Sequence, residues 1–362
     1  MTAKRPRKAR RAVRRWAWAL AAGLIVAAGA ARAGEPNEPP PAPAAVTADE
    51  LLNQFRRNRD LETRKRLTAQ LIEMGGTAPS RLLLAIQADL RPLQNRYRPA
   101  YLKQTVLLLE GRPATGAETI RAQRKTVLDL LGNNQLTGEM IQATVDPVLD
   151  QLEKTLMVER ETVLKEAPSL KEKREHILAL GELRQQCTDW LAKQPNGGGV
   201  EKGKNIKEWL DAEESLASSL ALAPDDKVRK VLTENARLES QISAEEARGI
   251  RRLNRLRLIL GLRPLLIDLR LCDAARDHSK DMATKRFFGH NSPVPGKTTL
   301  ADRAKRFGTT ARGENIAGGP TSGEAVIMKS WWYSPGHLKN MMGDYGRVGL
   351  GCYEKTWTLL FG

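Results

Sequence analysis

Three short polar motifs hold the residues of this chain best suited to chemistry. His290 stands in Gly289-His290-Asn291-Ser292-Pro293, Glu314 in Gly313-Glu314-Asn315-Ile316-Ala317, and His337 in Ser334-Pro335-Gly336-His337. An imidazole exchanges a proton near neutral pH or ligates a metal. A neighbouring carboxylate can orient it or share the ligand set. The Gly- and Pro-flanked contexts read as turns and loops, where groups held by a rigid scaffold commonly gather. Standard catalytic signatures are absent: there is no His-Glu-x-x-His, no Gly-x-Ser-x-Gly and no phosphate-binding P-loop. Ser292 lies close to His290, but near neighbours in sequence seldom point at one another productively, so a nucleophile there is disfavoured.

The elements around these motifs can be read from periodicity and caps. Ser243 and Glu246 form a capping box, with Ile250, Leu253, Leu256 and Leu260 along one face of the helix that follows and Gly261 ending it. Asp268 caps a second helix whose stripe carries Leu271, Ala275, His278 and Met282. His278 therefore reads as a hydrogen-bonded core residue. A third helix fits Leu300 to Phe307, and a fourth fits Ala325 to Trp332 with Thr321 and Glu324 as its box. The tail changes to a period of two: Val348, Leu350 and Cys352, then Trp357, Leu359 and Phe361, predict two strands joined tightly near Glu354-Lys355. That turn lacks Asn-Gly, which leaves a longer or bulged connection open. Helices followed by an antiparallel hairpin give an α+β fold.

The order of the three motifs resembles the CAP superfamily of cysteine-rich secretory, antigen 5 and pathogenesis-related proteins, in its bacterial extracellular branch. Asn254-Arg255, Gly261-Leu262-Arg263-Pro264-Leu265, Ala274-Ala275-Arg276-Asp277-His278-Ser279, Asn340, Gly349-Leu350-Gly351 and Trp357-Thr358 add to the likeness, which covers about residues 243–362. It implies an α-β-α sandwich with a central cleft in which His290, His337 and Glu314 match the family's divalent-metal residues. The family's second acidic position has no counterpart, since no acidic residue occurs from Ala325 to Gly343. Two imidazoles and one carboxylate would fill three zinc positions with water in the fourth, but they supply too few oxygens for tight calcium binding. The competing reading makes His290, Glu314 and His337 a hydrogen-bonded network that holds the loops, with Ser292, Asn315 and Asn340 orienting them. Trp331, Trp332 and Trp357 read as core or cleft-wall aromatics.

The rest of the chain frames this region. Residues 1–33 read as a secretory signal: eight basic side chains precede an apolar run from Trp16 to Ala31 and an Ala31-Arg32-Ala33 cleavage site. That run of 16 residues is shorter than the roughly 20 needed to span a bilayer, and a retained membrane anchor is the alternative. The segment holds nine basic and no acidic residues, so cleavage lowers the net charge from +17 to +8. Nucleic acid is not expected as a partner, because export explains the basic cluster. Residues 34–47 are a Pro/Ala-rich linker, and 48–242 a charged, mostly α-helical region of unknown function that could bind protein. Three cysteines are too few for a disulfide framework. A Cys272–Cys352 bridge and buried free thiols both remain open. A segment from Ser243 is expected to fold alone. The function expected is that of an exported, non-enzymatic binding module acting through its His/Glu cleft on a cell-envelope, extracellular or protein ligand. The alternatives are a metal-assisted hydrolase using His290, Glu314 and His337, or a lipid- or sterol-binding protein.

Overall fold

The computed structural model describes residues 46–112, 116–195 and 205–362. The expected signal and nearly all of the linker lie outside the described residues. Among the described residues, no helix is long and apolar enough to cross a membrane.

The first part is helical, as its periodicity predicts. It comprises α1 (Ala48–Arg57), α2 (Leu61–Met74), α3 (Ala78–Glu110), α4 (Ala117–Leu131) and the single turn α5 (Gly138–Met140). A π-helical turn at Ile141–Val145 leads into α6 (Asp146–Leu156), followed by α7 (Arg160–Glu166), α8 (Pro168–Ala192), α9 (Ile206–Leu222) and α10 (Asp226–Leu238). Side-chain caps at Thr47, Asp60 and Asp225 accept from first-turn amides and fix three of the starts. α3 continues unbroken through Pro92 and Pro99.

Two cores divide these helices. Phe55, Leu71, Ile86, Tyr97, Ile177 and Leu210 belong to one, built from α1–α3, α8 and α9. Val127, Ile141, Val145 and Leu152, from the α4–α6 stretch, instead join the core of the C-terminal region. Ser243 therefore marks the start of a helix but not a boundary of packing.

The C-terminal region runs α11 (Ala244–Ile259), β1 (Leu266–Ile267), α12 (Leu269–Lys285), α13 (Leu300–Arg306), β2 (Gly313–Gly318), α14 (Gly323–Ala325), a π-helical Val326–Trp331, α15 (Pro335–Met342), β3 (Arg347–Tyr353) and β4 (Thr356–Phe361). The Ser243–Glu246 box, the Asp268 cap and the buried Leu271–Ala275–His278–Met282 stripe are all present. The hairpin turn is tight, as expected: Glu354 and Lys355 both take positive φ (46° and 67°), the left-handed pair that matches strand twist even without Asn-Gly. Two expectations need correction. The fourth helix is capped by Ser322, not Thr321, and becomes π-helical after one turn. The Gly313-Glu314-Asn315 motif is a strand rather than a loop.

The sheet is mixed, in the order β1-β3-β4-β2, with β1 parallel to β3 and the remaining pairs antiparallel. α12 covers one face, where Leu271, Ala274, Ala275 and Leu360 pack together. Glycine makes that contact close. A Cβ on Gly349 would lie 2.3 Å from the Leu271 carbonyl carbon, and one on Gly351 2.2 Å from the Arg276 nitrogen. On the other face Leu253, Leu256, Trp331, Leu338, Leu350 and Leu359 share a core with α11 and α15. The result is the three-layer α-β-α arrangement within an α+β fold. Trp331, Trp332 and Trp357 are fully buried or nearly so, as expected. At about 25 cal/mol per Å², each contributes at most roughly 4–6 kcal/mol of apolar burial.

Candidate functional site

β2 is an edge strand, and its two polar residues face opposite layers. Successive strand residues alternate sides. Glu314 pairs with Leu360, which lies on the α12 face, while Asn315 pairs with Leu359 in the α11/α15 core. The edge thereby links a histidine from each layer.

On the α12 side, Glu314 is almost wholly buried and both its oxygens are engaged. Oε1 lies 2.8 Å from His290 Nδ1, and Arg303 Nη2 donates to Oε2 at 2.5 Å. Arg303 is fully buried, so each charge depends on the other for compensation. A carboxylate whose other oxygen is bonded to a guanidinium accepts from the imidazole. Nδ1 of His290 therefore carries the proton, leaving Nε2 as the free acceptor when the ring is neutral. The His290 side chain is 57% exposed, so that acceptor edge is available to a ligand.

The loop carrying His290 is pinned along its length. Lys297 Nζ bridges Asp277 and Asp281 of α12 at 2.7–2.8 Å. Arg303 donates to the carbonyls of Lys297 and Thr298, and the Ser292 amide donates to Thr298 O at 2.9 Å. The buried Ser292 hydroxyl accepts from the Val294 amide, which is a turn role and not that of a nucleophile. His278 is fully buried. Its Nε2 sits 3.2 Å from Gly289 O and 3.9 Å from Glu314 Oε2, so it backs the network as a core residue. Burial holds the His278 imidazole below the usual histidine value, with Glu314 opposing and Arg303 assisting.

On the other side, Asn315 Nδ2 donates to His337 O at 3.0 Å, and Asn340 Nδ2 donates to Asn315 Oδ1 and Glu314 O. These bonds fasten α15 to β2, the orienting role expected of both asparagines. His337 packs beside Trp331, with ring centroids 6.4 Å apart. Among the described residues, its Nδ1 is buried without a hydrogen-bond partner. Burial lowers the His337 pKa, and His290 lowers it further.

The three expected residues are thus tied to one strand edge, with Glu314 facing Arg303 and His290 rather than standing free. Among the described residues, no three His, Cys, Asp or Glu side chains group closely enough to hold a metal ion. Glu314, both oxygens already bonded, fits an orienting carboxylate better than a direct ligand. Arg303 escaped the sequence reading because an arginine inside a short amphipathic helix carries no spacing signal.

A second group was equally invisible in sequence. Trp332 Nε1 donates to Asp146 Oδ1 at 2.7 Å, and the Tyr333 hydroxyl donates to Oδ2 at 3.0 Å. Gly138 packs so closely that an added Cβ would lie 2.7 Å from Tyr333 O. The helical region thus holds the segment leading into His337. All three cysteines are free thiols, Cys187 and Cys272 buried and Cys352 partly so; the Cys272–Cys352 bridge is not formed.

Part of the C-terminal region is similar to known proteins. Residues 250–360 match the model of the cysteine-rich secretory protein family, CAP. The uncharacterized protein YkwD of Bacillus subtilis (strain 168) is 39% identical over 127 residues, covering 34% of this chain and 48% of that protein. An extracellular protein containing an SCP domain from Bacillus anthracis str. Ames is similar as a solved structure: 33% identity, 32% of this chain, 39% of that one, TM-score 0.31. The chain thus spans about half the length of the curated relative it matches. Its C-terminal region belongs to the CAP superfamily, in the bacterial branch.

Proposed function

We propose that this is an exported, non-enzymatic binding protein whose CAP cleft engages a cell-envelope, extracellular or protein ligand through His290 and His337. One observation carries the reading: among the described residues His337 Nδ1 is buried without a hydrogen-bond partner, while His290 is exposed and oriented by Glu314. A buried imidazole nitrogen without a partner is costly, and a ligand group that bonded it would recover that cost. The printed description of the Bacillus anthracis relative as extracellular supports export, as does the leader pattern of residues 1–33. The experiment is ligand capture by the purified chain from solubilised envelope fractions, compared with His337→Ala and His290→Ala. Retention that is equal in all three proteins would refute the cleft reading.

A zinc-assisted hydrolase is the second reading, supported by the Glu314–His290 contact. A carboxylate on Nδ1 is how ligating histidines are commonly oriented, with Nε2 left toward the metal. His290 and His337 would hold the ion, and it would supply an activated water. Metal analysis of the purified chain with and without His290→Ala tests this. Zinc bound at less than one-tenth of an equivalent would refute it.

A further inference from the structure

Away from the cleft, α9, α10 and α11 enclose a cavity of about 410 Å³. Its walls are largely apolar: Trp209 and Leu216 from α9, Leu232 from α10, then Ile242, and Ala247 and Ile250 from α11. Cavities of 300–1,000 Å³ with apolar walls and a few fixed polar groups are the usual form of small-molecule sites. Here Asn235 and Asn254 are the fixed polar groups. Asn235 Nδ2 and Asn254 Nδ2 both donate to Leu265 O at 2.9 Å, while their Oδ1 atoms accept from the amides of Ile267 and Leu265. Each side-chain amide is locked in orientation and retains a second N–H.

The charges around the cavity decide what it could take. Glu239 pairs with Arg251 at 2.5 Å, Glu213 with Arg98 at 3.3 Å, and Arg248 with Glu208 at 3.6 Å as well as with Glu245. Every charged side chain lining it thus already has an opposite partner. A charged ligand would have to compete with one of these pairs, whereas an uncharged one leaves them intact. We propose that this cavity binds an uncharged, mostly apolar small molecule carrying a hydrogen-bonding end, at the junction of the helical region and the CAP domain. The site is independent of the cleft reading, since neither His290 nor His337 lines it.

The probe is N-phenyl-1-naphthylamine, an uncharged apolar fluorophore, titrated into the full chain. The expected result is saturable enhancement at one equivalent. Ala212→Phe on α9 and Ala236→Phe on α10 fill the cavity from opposite walls, and each should weaken binding at least tenfold while melting cooperatively. Hydrogen exchange on the unsubstituted chain needs no variant to fold: bound probe should protect amides of α9, α10 and the first half of α11. Absence of saturable binding would overturn the proposal. So would protection confined to other elements, or loss of binding in His290→Ala with none in the folded filling variants, which would move the probe to the cleft.

Discussion

Replacing Asp146 by alanine tests whether the helical region holds the segment that leads into His337. Trp332 is fully buried, and its indole N–H donates to Asp146 Oδ1 at 2.7 Å. Without that acceptor the N–H is a buried, unsatisfied donor, which costs about 1–3 kcal/mol. The Tyr333 hydroxyl, bonded to the other oxygen at 3.0 Å, belongs to a residue 41% exposed. Water can replace that bond, so it adds little. For a folded unit of this size, 1 kcal/mol moves Tm by about 2 °C, the lower end of the usual range, so Asp146→Ala should melt about 2–6 °C lower. Asp146→Asn retains a carbonyl oxygen for the indole and should recover most of the loss. The second readout is the His337 imidazole resonance, which should shift in Asp146→Ala because Trp332 and Tyr333 lead directly into the α15 turn. An unchanged melting temperature with an unshifted His337 signal would refute the reasoning.

The remaining predictions concern protons, thiols and truncation. His176, His278 and His337 are all held below the usual histidine value of 6.5, with burial the largest cause. The unfolded chain therefore binds more protons below about pH 6.5, so stability is full above that pH and falls as acidification proceeds toward the folded values. Urea midpoints at pH 7.5, 6.5 and 5.5 should decline, and His278→Gln should reduce the slope; a flat profile would contradict the assignment. Burial pushes the Cys187 and Cys272 thiols up to about 12. Maleimide should modify Cys352 first and the other two only on unfolding, and three equally fast thiols would count against the buried placement. A segment beginning at Ser243 would expose the faces of Ile250, Leu253, Leu256 and Trp332 that pack with Val127, Ile141, Val145 and Leu152 in the full chain. It should melt without cooperativity or well below the full chain, contrary to the independent folding expected from its capping box, and an equally sharp and high transition would restore that expectation.

What was legible in the sequence was local. The Ser243 box, the Asp268 cap and the stripe through His278 depend on contacts within a few residues, so spacing alone revealed them. The tail's period of two likewise exposed β3 and β4, while β1 has only two residues and no period to detect. β2 was missed because both its faces are buried: Gly313 to Ala317 do not alternate, and its polar pair imitates a loop. The site followed the same division. The motifs identified His290, Glu314 and His337 but not the acid–base balance among them, because Arg303 reaches Glu314 across 11 residues and Asp146 reaches Trp332 across 186. Such pairs cost desolvation wherever they form and are favourable only in the assembled geometry, so no local preference announces them. No acidic residue occurs from Ala325 to Gly343, and the carboxylate beside Trp332 is Asp146, contributed by another part of the chain and bonded to the indole. The helical region therefore anchors Trp332 and Tyr333, the segment that leads into His337, and the setting of that histidine should depend on whether the anchor is in place.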